Sequence, residues 1–450
     1  MADDVFPDLT RLVPWPEPIA HAAAALRARG IEVFAVGGAV REPLLGRATK
    51  DWDFATASLP HEVAAAFPAV QSVDARLGAV HLALDDGYEL TVTTMRREEG
   101  YADHRHPDRV EFVTDLAVDA LRRDFTINAI YADPDGRVHD PVGGLADFAA
   151  RTLRAIGDPD RRFAEDALRL LRAIRFAARC GFAIEPATWQ ALRARAPLAA
   201  TLSAERVFAE LTGAFTAPGR GRALRLLVES GLAAVVLPEV VALDGVPQPP
   251  DYHPEGDVLT HVCLVLDAVE EGDAVQAWTA VLHDVGKPAT FTAGPDRIRF
   301  SGHDVLSARM ADEALHRLHA PRELRETVVE ICRDHIKFAG VMQMRPRRRE
   351  RWMRSPRFPA HLAFHRADCL GSHGKLDVWH AAHDAWRSLP AEPPPPLCTG
   401  ADVLALGVAP GPRVGRLLRR VDAELENVEA PDRAMALAVL RRLVDAGEGT

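Results

Sequence analysis

Two aspartates, Asp51 and Asp53, stand two positions apart in the stretch KDWDFAT at residues 50–56. In an extended chain residues i and i+2 face the same side, so the two carboxylates project together while Trp52 and Phe54 turn to the other face. Carboxylates held this close repel one another, and a hard divalent cation relieves the repulsion. Mg²⁺ suits the role because it binds a few carboxylates together with substrate phosphates. Two solvated aspartates on an exposed sheet face are the alternative, and these seven residues alone leave both open. Upstream, VGGAV places Gly37 and Gly38 between a strand-like and a helix-like run, with Arg41 just beyond. Glycines let backbone amides approach a phosphate closely, and a helix N-terminus adds partial positive charge; a Gly-Gly turn also serves as a plain structural turn.

Downstream, LRRDFTINAIYA gathers Arg122, Arg123, Asp124 and Asn128. Guanidinium groups match phosphate oxygens in a bidentate way, and Asp124 can accept from a ribose hydroxyl; an N-cap with flanking surface arginines is the plainer reading. In RFAEDALRLLRAIRF, Asp166 and Arg169 are i and i+3 and would share a helix face. A carboxylate beside a guanidinium offers acceptors and donors that can imitate the edge of a base, although an ordinary surface ion pair is the commonest use of this spacing.

A second set of residues lies further along. His261 opens an apolar helical stretch, His283 and Asp284 sit side by side in LHDVGKP, and His303, His335 and Asp368 follow in separate helical segments. One histidine on an amphipathic helix is most often a surface or satisfied core residue. A series flanked by apolar residues points instead to the mixed imidazole and carboxylate ligand set of a transition metal.

The elements that must position these groups change along the chain. Over the first 150 residues the period switches repeatedly between helix and strand, which predicts a small α/β head with a modest mixed sheet. A helix from Ile19 ends at Gly30, another runs from near Val40 to Gly46, and strands cover IEVFAV, DWDFAT, AVHLAL, YELTVTTM and RVEFV. From residue 151 to 245 the pattern is helical, a neck and body. A Pro-rich break at 246–257 opens a helical, histidine-rich unit reaching residue 388. A polyproline linker at 389–400 precedes a final helical segment, 398–450. The fold class expected is α+β.

The 450 residues carry a net charge of −10 and 48% hydrophobic residues, ordinary for a globular chain of several cores and unlike a generic basic nucleic-acid coat. Five scattered cysteines, never in a CxxC pair, argue against a disulfide framework or structural zinc and for a reducing cytoplasm. The acidic, Pro-broken N-terminus is not a signal peptide, and no apolar run is long enough to span a membrane. The strongest basic run, RPRRRERWMRSPR at 345–357, contains Trp352 and suits either RNA phosphates or a solvated helix connection. No obligate protein partner is implied.

In their order and spacing, GGAVREPLLGRATKDWDFAT, RRDFTINA and EDALRLLRAIRF resemble the class II CCA-adding enzyme and poly(A) polymerase family of the DNA polymerase β nucleotidyltransferase superfamily. The resemblance implies a mixed-sheet head and a helical neck and body. It implies that Asp51 and Asp53 hold catalytic Mg²⁺, that Gly37, Gly38 and Arg41 lie along the triphosphate, and that Arg122, Arg123, Asp124 and Asn128 bind the nucleotide's sugar and phosphates. Asp166 and Arg169 would read the incoming base, supported by Glu165 and Arg172. A 3′-hydroxyl would attack the α-phosphorus of a nucleoside triphosphate in line, with base choice made by protein side chains.

The expected function is CCA addition to tRNA from CTP and ATP. A polar loop within residues 93–112, of the kind this family needs for switching to ATP, favours full CCA or A addition over CC addition alone. Poly(A) or A-only addition is the first alternative, and an RNA-binding protein with inactive catalytic modules, or a phosphohydrolase with a regulatory head, are the others. Two departures stand out. Glu42 occupies a position where the family usually has Asp, and a third carboxylate expected near Thr91 is missing, with Glu89 two residues earlier as the candidate.

The histidine series resembles the HD phosphohydrolase superfamily. That resemblance implies one metal on His261, His283, Asp284 and Asp368, a possible second on His303 and His335, and hydrolysis of 2′,3′-cyclic phosphates or 2′-phosphates on damaged RNA ends. The segment at 399–420 resembles the C-terminal part of enzymes carrying both units, and suits an RNA-backbone contact or tail packing.

Overall fold

In the computed structural model, the structure describes residues 15–447 apart from 102–106, 250–252, 295–297, 393–394, 427 and 429–430. The head is built on a seven-stranded mixed sheet. Its strands are β1 (Val33–Val36), β2 (Asp51–Thr56), β3 (Ser72–Asp74), β4 (Ala79–Ala83), β5 (Glu89–Thr94), β8 (Tyr131–Ala132) and β9 (Val138–His139), in the order β3-β4-β5-β2-β1-β8-β9. Strands β6 (Arg96–Glu99) and β7 (Arg109–Phe112) form a separate hairpin. Between them lies the expected polar loop, part of which falls outside the described residues.

The alternation in β2 is as expected. Trp52 and Phe54 are buried and Asp51 and Asp53 exposed. Phe54 packs against Trp15 with ring centroids 5.0 Å apart. Burial of each aromatic contributes about 1.5–3 kcal/mol and sets the opposite face of the strand. β1 runs antiparallel to β2 with Val36 opposite Asp53, so the turn at Gly37 emerges beside that carboxylate. β5 runs parallel to β2, with Glu89 opposite Asp51 and Thr91 opposite Asp53.

Beyond the head helices dominate. The amphipathic helix Leu168–Cys180 buries Leu170, Leu171, Ile174 and Ala177 and stops at Gly181, whose φ of +70° favours glycine. One expectation is corrected here. The preceding helix, Pro159–Glu165, ends before Asp166, which has extended backbone angles of φ −138° and ψ 106°. Asp166 and Arg169 therefore do not share a helix face. Asp166 Oδ1 instead accepts from the Leu168 backbone N–H at 3.1 Å, as an N-cap would.

The Pro-rich break at 246–257 interrupts the helices but not the core. Trp278, on the helix Ala274–Leu282, stacks on Phe208 at 5.5 Å and meets Phe215 edge-on at 5.4 Å. Its indole N–H donates to Thr212 Oγ1 at 2.9 Å. Buried Arg220 donates to the carbonyls of Leu266 at 2.7 Å and Asp267 at 3.1 Å. The tail closes its own small core, with Leu417, Val421 and Leu425 against Ala436, Leu440 and Leu443. In the basic run, Trp352 packs inward on Phe338, with centroids 5.4 Å apart, and lies beneath Lys337 Nζ at 4.4 Å. That ring is partly covered rather than presented as an open stacking surface.

Candidate active site

A cleft of about 710 Å³ opens on the sheet face that carries Asp51 and Asp53. Gly37, Gly38, Arg41, Arg122, Arg123, Asp124, Asn128, Asp166, Arg169 and Arg172 also line it. Gly37 has φ of +67°, which would strain any side chain, and a Cβ there would lie in van der Waals contact with Asp53 Oδ2 at 3.6 Å. Although Asp53 is open to the cleft, the walls around it remove much of its bulk water. That desolvation raises its carboxyl above the ordinary range, Arg123 opposes the rise and the neighbouring charge of Asp51 adds to it. The pair is an acidic spot inside a cationic cleft, only partly offset by Arg123, Arg172 and Arg41, an arrangement that fits a hard divalent cation bridging to phosphate.

The arginines are held rather than loose. Asp119, fully buried, accepts from Arg122 Nε at 2.7 Å, from Arg123 at 3.1 and 3.2 Å and from the Tyr131 hydroxyl at 2.8 Å. Burial alone would raise its carboxyl, but Arg123 and Arg122 win and hold it well below the usual range. Asp124 Oδ1 accepts from the Phe125 N–H at 2.8 Å and Asn128 Nδ2 at 2.9 Å, and its Oδ2 from Arg172 Nε at 2.7 Å. Both oxygens are thus engaged by protein donors, and Asp124 orients Asn128 and Arg172. Asn128 Oδ1 in turn accepts from Arg41. Phe176 has the guanidinium carbons of Arg41, Arg172 and Arg175 at 4.5, 5.0 and 4.5 Å from its ring centre, which gathers three cations around one aromatic ring.

Arg169 donates to Glu165 Oε2 at 3.0 Å and to the Arg122 carbonyl at 2.9 Å, joining helical neck to head. Glu165 does not line the cleft. It sits behind Arg169 and also binds Arg161 at 3.1 Å and Arg162 at 3.0 Å.

The second centre lies in the helical half. Nε2 of His261 is 3.3 Å from Nε2 of His283 and 3.2 Å from Asp368 Oδ1. Nε2 of His303 is 3.3 Å from both Nε2 of His335 and Asp284 Oδ1. Asp284 Oδ2 faces the first group, 3.2 Å from His283 Nε2. The expected assignment of Asp284 to one ligand set therefore changes: its two oxygens face the two groups, and it stands between them. Lys287 Nζ lies 2.6 Å from Asp284 Oδ2 and donates to Gln248 Oε1 at 2.7 Å. His283, His303 and His335 give Nδ1–H to the carbonyls of Ala280, Phe300 and Cys332 at 2.8, 2.7 and 2.6 Å. With Nδ1 so engaged, each Nε2 lone pair points into the centre, the tautomer a metal ligand needs. The residues present fit divalent metal.

The Poly A polymerase head domain family matches residues 33–154, and the family described as probable RNA and SrmB- binding site of polymerase A matches residues 181–243. A multifunctional CCA protein of Neisseria gonorrhoeae is 38% identical over 322 residues, 70% of this chain and 76% of that protein. The chain belongs to the class II CCA-adding enzyme and poly(A) polymerase family. A CCA-adding enzyme of Geobacillus thermodenitrificans is 44% identical over 208 residues, 46% of this chain and 51% of that enzyme. The matched stretch thus spans about half the length of this relative. The crystal structure of the Bacillus stearothermophilus CCA-adding enzyme in complex with CTP superposes with a TM-score of 0.70 at 26% identity, covering 96% of this chain and 99% of that one.

In this member of the CCA-adding and poly(A) polymerase family, Glu42 is buried and accepts from Arg41 Nη2 at 2.7 Å, while its other oxygen is 3.1 Å from Arg179 Nη2 on the neck. The extra methylene relative to Asp lets it tie the glycine turn to the neck helix. Glu89 sits opposite Asp51 on the neighbouring strand but does not line the cleft. Thr91, beside Asp53, is occupied by a hydrogen bond with His81 Nδ1 at 3.1 Å. Among the described residues no third acidic, histidine or cysteine ligand atom joins Asp51 and Asp53 within 4.8 Å.

Sequence reasoning passed over Asp119, Arg175 and Arg179. The signal was present: Asp119 lies three and four residues before Arg122 and Arg123, and Arg172, Arg175 and Arg179 repeat on one helix face.

Proposed function

We propose that the chain is a CCA tRNA nucleotidyltransferase, adding C, C and A to tRNA 3′ ends from CTP and ATP without a nucleic-acid template. The convergence of the acidic pair, the glycine turn and the base-edge pair Asp166 and Arg169 on one cleft carries this reading. Bound Mg²⁺ would supply charge neutralisation at the reacting phosphates, and Asp51 and Asp53 are the residues to hold it. Gly37 leaves room for the triphosphate beside Asp53. Arg122 and Arg123, anchored by Asp119, present fixed cations to its oxygens. Asp166 and Arg169 offer one acceptor and one donor edge to the base, and Arg169 is held by Glu165 so that its geometry is set before the nucleotide arrives. Phosphate chemistry of this kind needs positioning and charge stabilisation and no protein nucleophile.

The relatives bear CCA-adding names, which favours this over poly(A) addition. The test is a tRNA lacking its CCA end. CTP alone should extend it by two nucleotides, ATP alone should leave it essentially unextended, and both together should add three. Failure to incorporate CTP would overturn the reading in favour of A addition.

A second activity is proposed at the histidine–aspartate centre, hydrolysis of 2′,3′-cyclic phosphates or 2′-phosphates at RNA ends. The four converging Nε2 atoms and the two carboxylates favour it. A bound divalent transition metal would supply Lewis acidity toward the phosphoester. His261, His283 and Asp368 would hold one ion, His303 and His335 another, and Asp284 would contact both. The double variant His283→Ala, Asp284→Ala should lose cyclic-phosphate turnover and keep CTP incorporation. Unchanged turnover would remove the centre from the reaction.

Five buried free cysteines, with no disulfide among the described residues, suit a cytoplasmic setting. Among the described residues no helix is long and apolar enough to cross a membrane.

A further inference from the structure

Glu255 lies outside the converging ligand atoms yet touches one of their rings. Its Oε1 accepts from His261 Nδ1 at 2.8 Å and from His253 Nδ1 at 2.9 Å. The side chain is 6% exposed, and its other oxygen, Oε2, is buried with no hydrogen-bond partner among the described residues. Both donors thus fall on one oxygen, and among the described residues the other has none.

The backbone that delivers Glu255 is fixed on either side. Pro247 bridges to Asp257. Asp257 caps the helix that carries His261, accepting from the Thr260 N–H at 2.9 Å, and takes the Gly245 N–H at 2.7 Å. Gly256, with φ of +116°, makes the turn between them.

The other three histidines of the centre hand Nδ1–H to backbone carbonyls, and His261 alone hands it to a carboxylate. A carboxylate is the stronger acceptor. It fixes the tautomer, holds the ring plane and leaves more electron density on Nε2 for a metal. We propose that Glu255 is a positioning residue of the second centre, making His261 its strongest imidazole donor, with His253 bracing the same carboxylate oxygen, its ring 4.7 Å from that of His261. This rests on the reading of that centre as a metal site.

Cobalt(II) serves as the probe, titrated by calorimetry into metal-free full-length protein carrying Asp51→Ala and Asp53→Ala, so that the head does not take up the ion. Glu255→Gln should weaken cobalt binding by roughly 10–100-fold. Glu255→Asp, which keeps the charge one methylene short, should fall between Gln and the parent, and His253→Ala should lose less than Gln. The melting temperature of the metal-free protein is recorded alongside, since a purely structural role would lower it and leave the affinity of the folded fraction unchanged. Parent affinity in Glu255→Gln overturns the assignment while leaving the metal centre standing. A parent protein that binds no cobalt overturns the reading of the centre itself. Should the Gln variant not fold, parent affinity in Glu255→Asp together with His253→Ala overturns the assignment.

Discussion

Asp53→Ala should reduce nucleotide incorporation by about 10³-fold or more, the loss expected when several kcal/mol of metal-borne charge stabilisation is removed from the transition state. The same change should leave the fold intact. Asp53 is exposed on its strand face, with the structural weight borne by Trp52 and Phe54 on the other. Its carboxyl is raised by desolvation and by Asp51, so removing it relieves repulsion in the metal-free protein. The measurement pairs CTP incorporation into a tRNA lacking CCA with thermal melting. Activity within about tenfold of the parent, a deficit of only about 1.4 kcal/mol, would remove Asp53 from the reaction. The phosphoester cleavage proposed for the second centre should be unaffected, because its candidate ligands are separate residues.

Asp119→Ala should have the largest effect on stability, about 3–5 kcal/mol, because it removes the buried carboxylate that binds Arg123 and Arg122 and leaves Arg122 only the more distant Glu98 at 3.6 Å. Arg122 and Arg123 would keep their charge and lose the anchor that aims them into the cleft, so triphosphate affinity should fall as well. The pH dependence has a definite sign. The folded-state carboxyl of Asp119 lies below its ordinary value, so its stabilisation is complete above the unfolded pKa of about 3.9 and is lost as pH falls through the lower folded value. The parent should therefore lose stability more steeply than the alanine variant below about pH 4. Urea midpoints at neutral and acid pH check both statements. Equal midpoints at neutral pH would show that Asp119 does not hold the arginines.

Much of this was legible from residue order because it follows from short-range geometry. Period-two alternation alone places Asp51 and Asp53 together and buries Trp52 and Phe54. The glycine turn is legible because a strand running into Gly-Gly has few other shapes. Asp166 was not. The residues around it have good helix propensity, yet its Oδ1 takes the Leu168 N–H at 3.1 Å and lies 3.5 Å from Arg206, a partner far away in sequence. Nor was Glu42, whose partner Arg179 lies on the neck. In the second centre the candidate ligands announced themselves as histidines, but the two faces of Asp284 depend on the way separate helices meet. Glu255 lay in a Pro-rich stretch that reads as a boundary, and nothing local says that its side chain returns to the helix beyond it.

The continuous core through Trp278 bears on how such a chain can change over time. Phe208, Phe215 and Thr212 of the neck all close around that indole, so the histidine-bearing helices are part of the neck's own interior. A descendant with no use for the proposed second activity could shed a candidate ligand such as Asp368, whose side chain is a quarter exposed, at modest structural cost. It could not discard the helices themselves without opening the neck. The second unit is therefore expected to outlast its chemistry, remaining as scaffold in lineages where the ligand set has decayed.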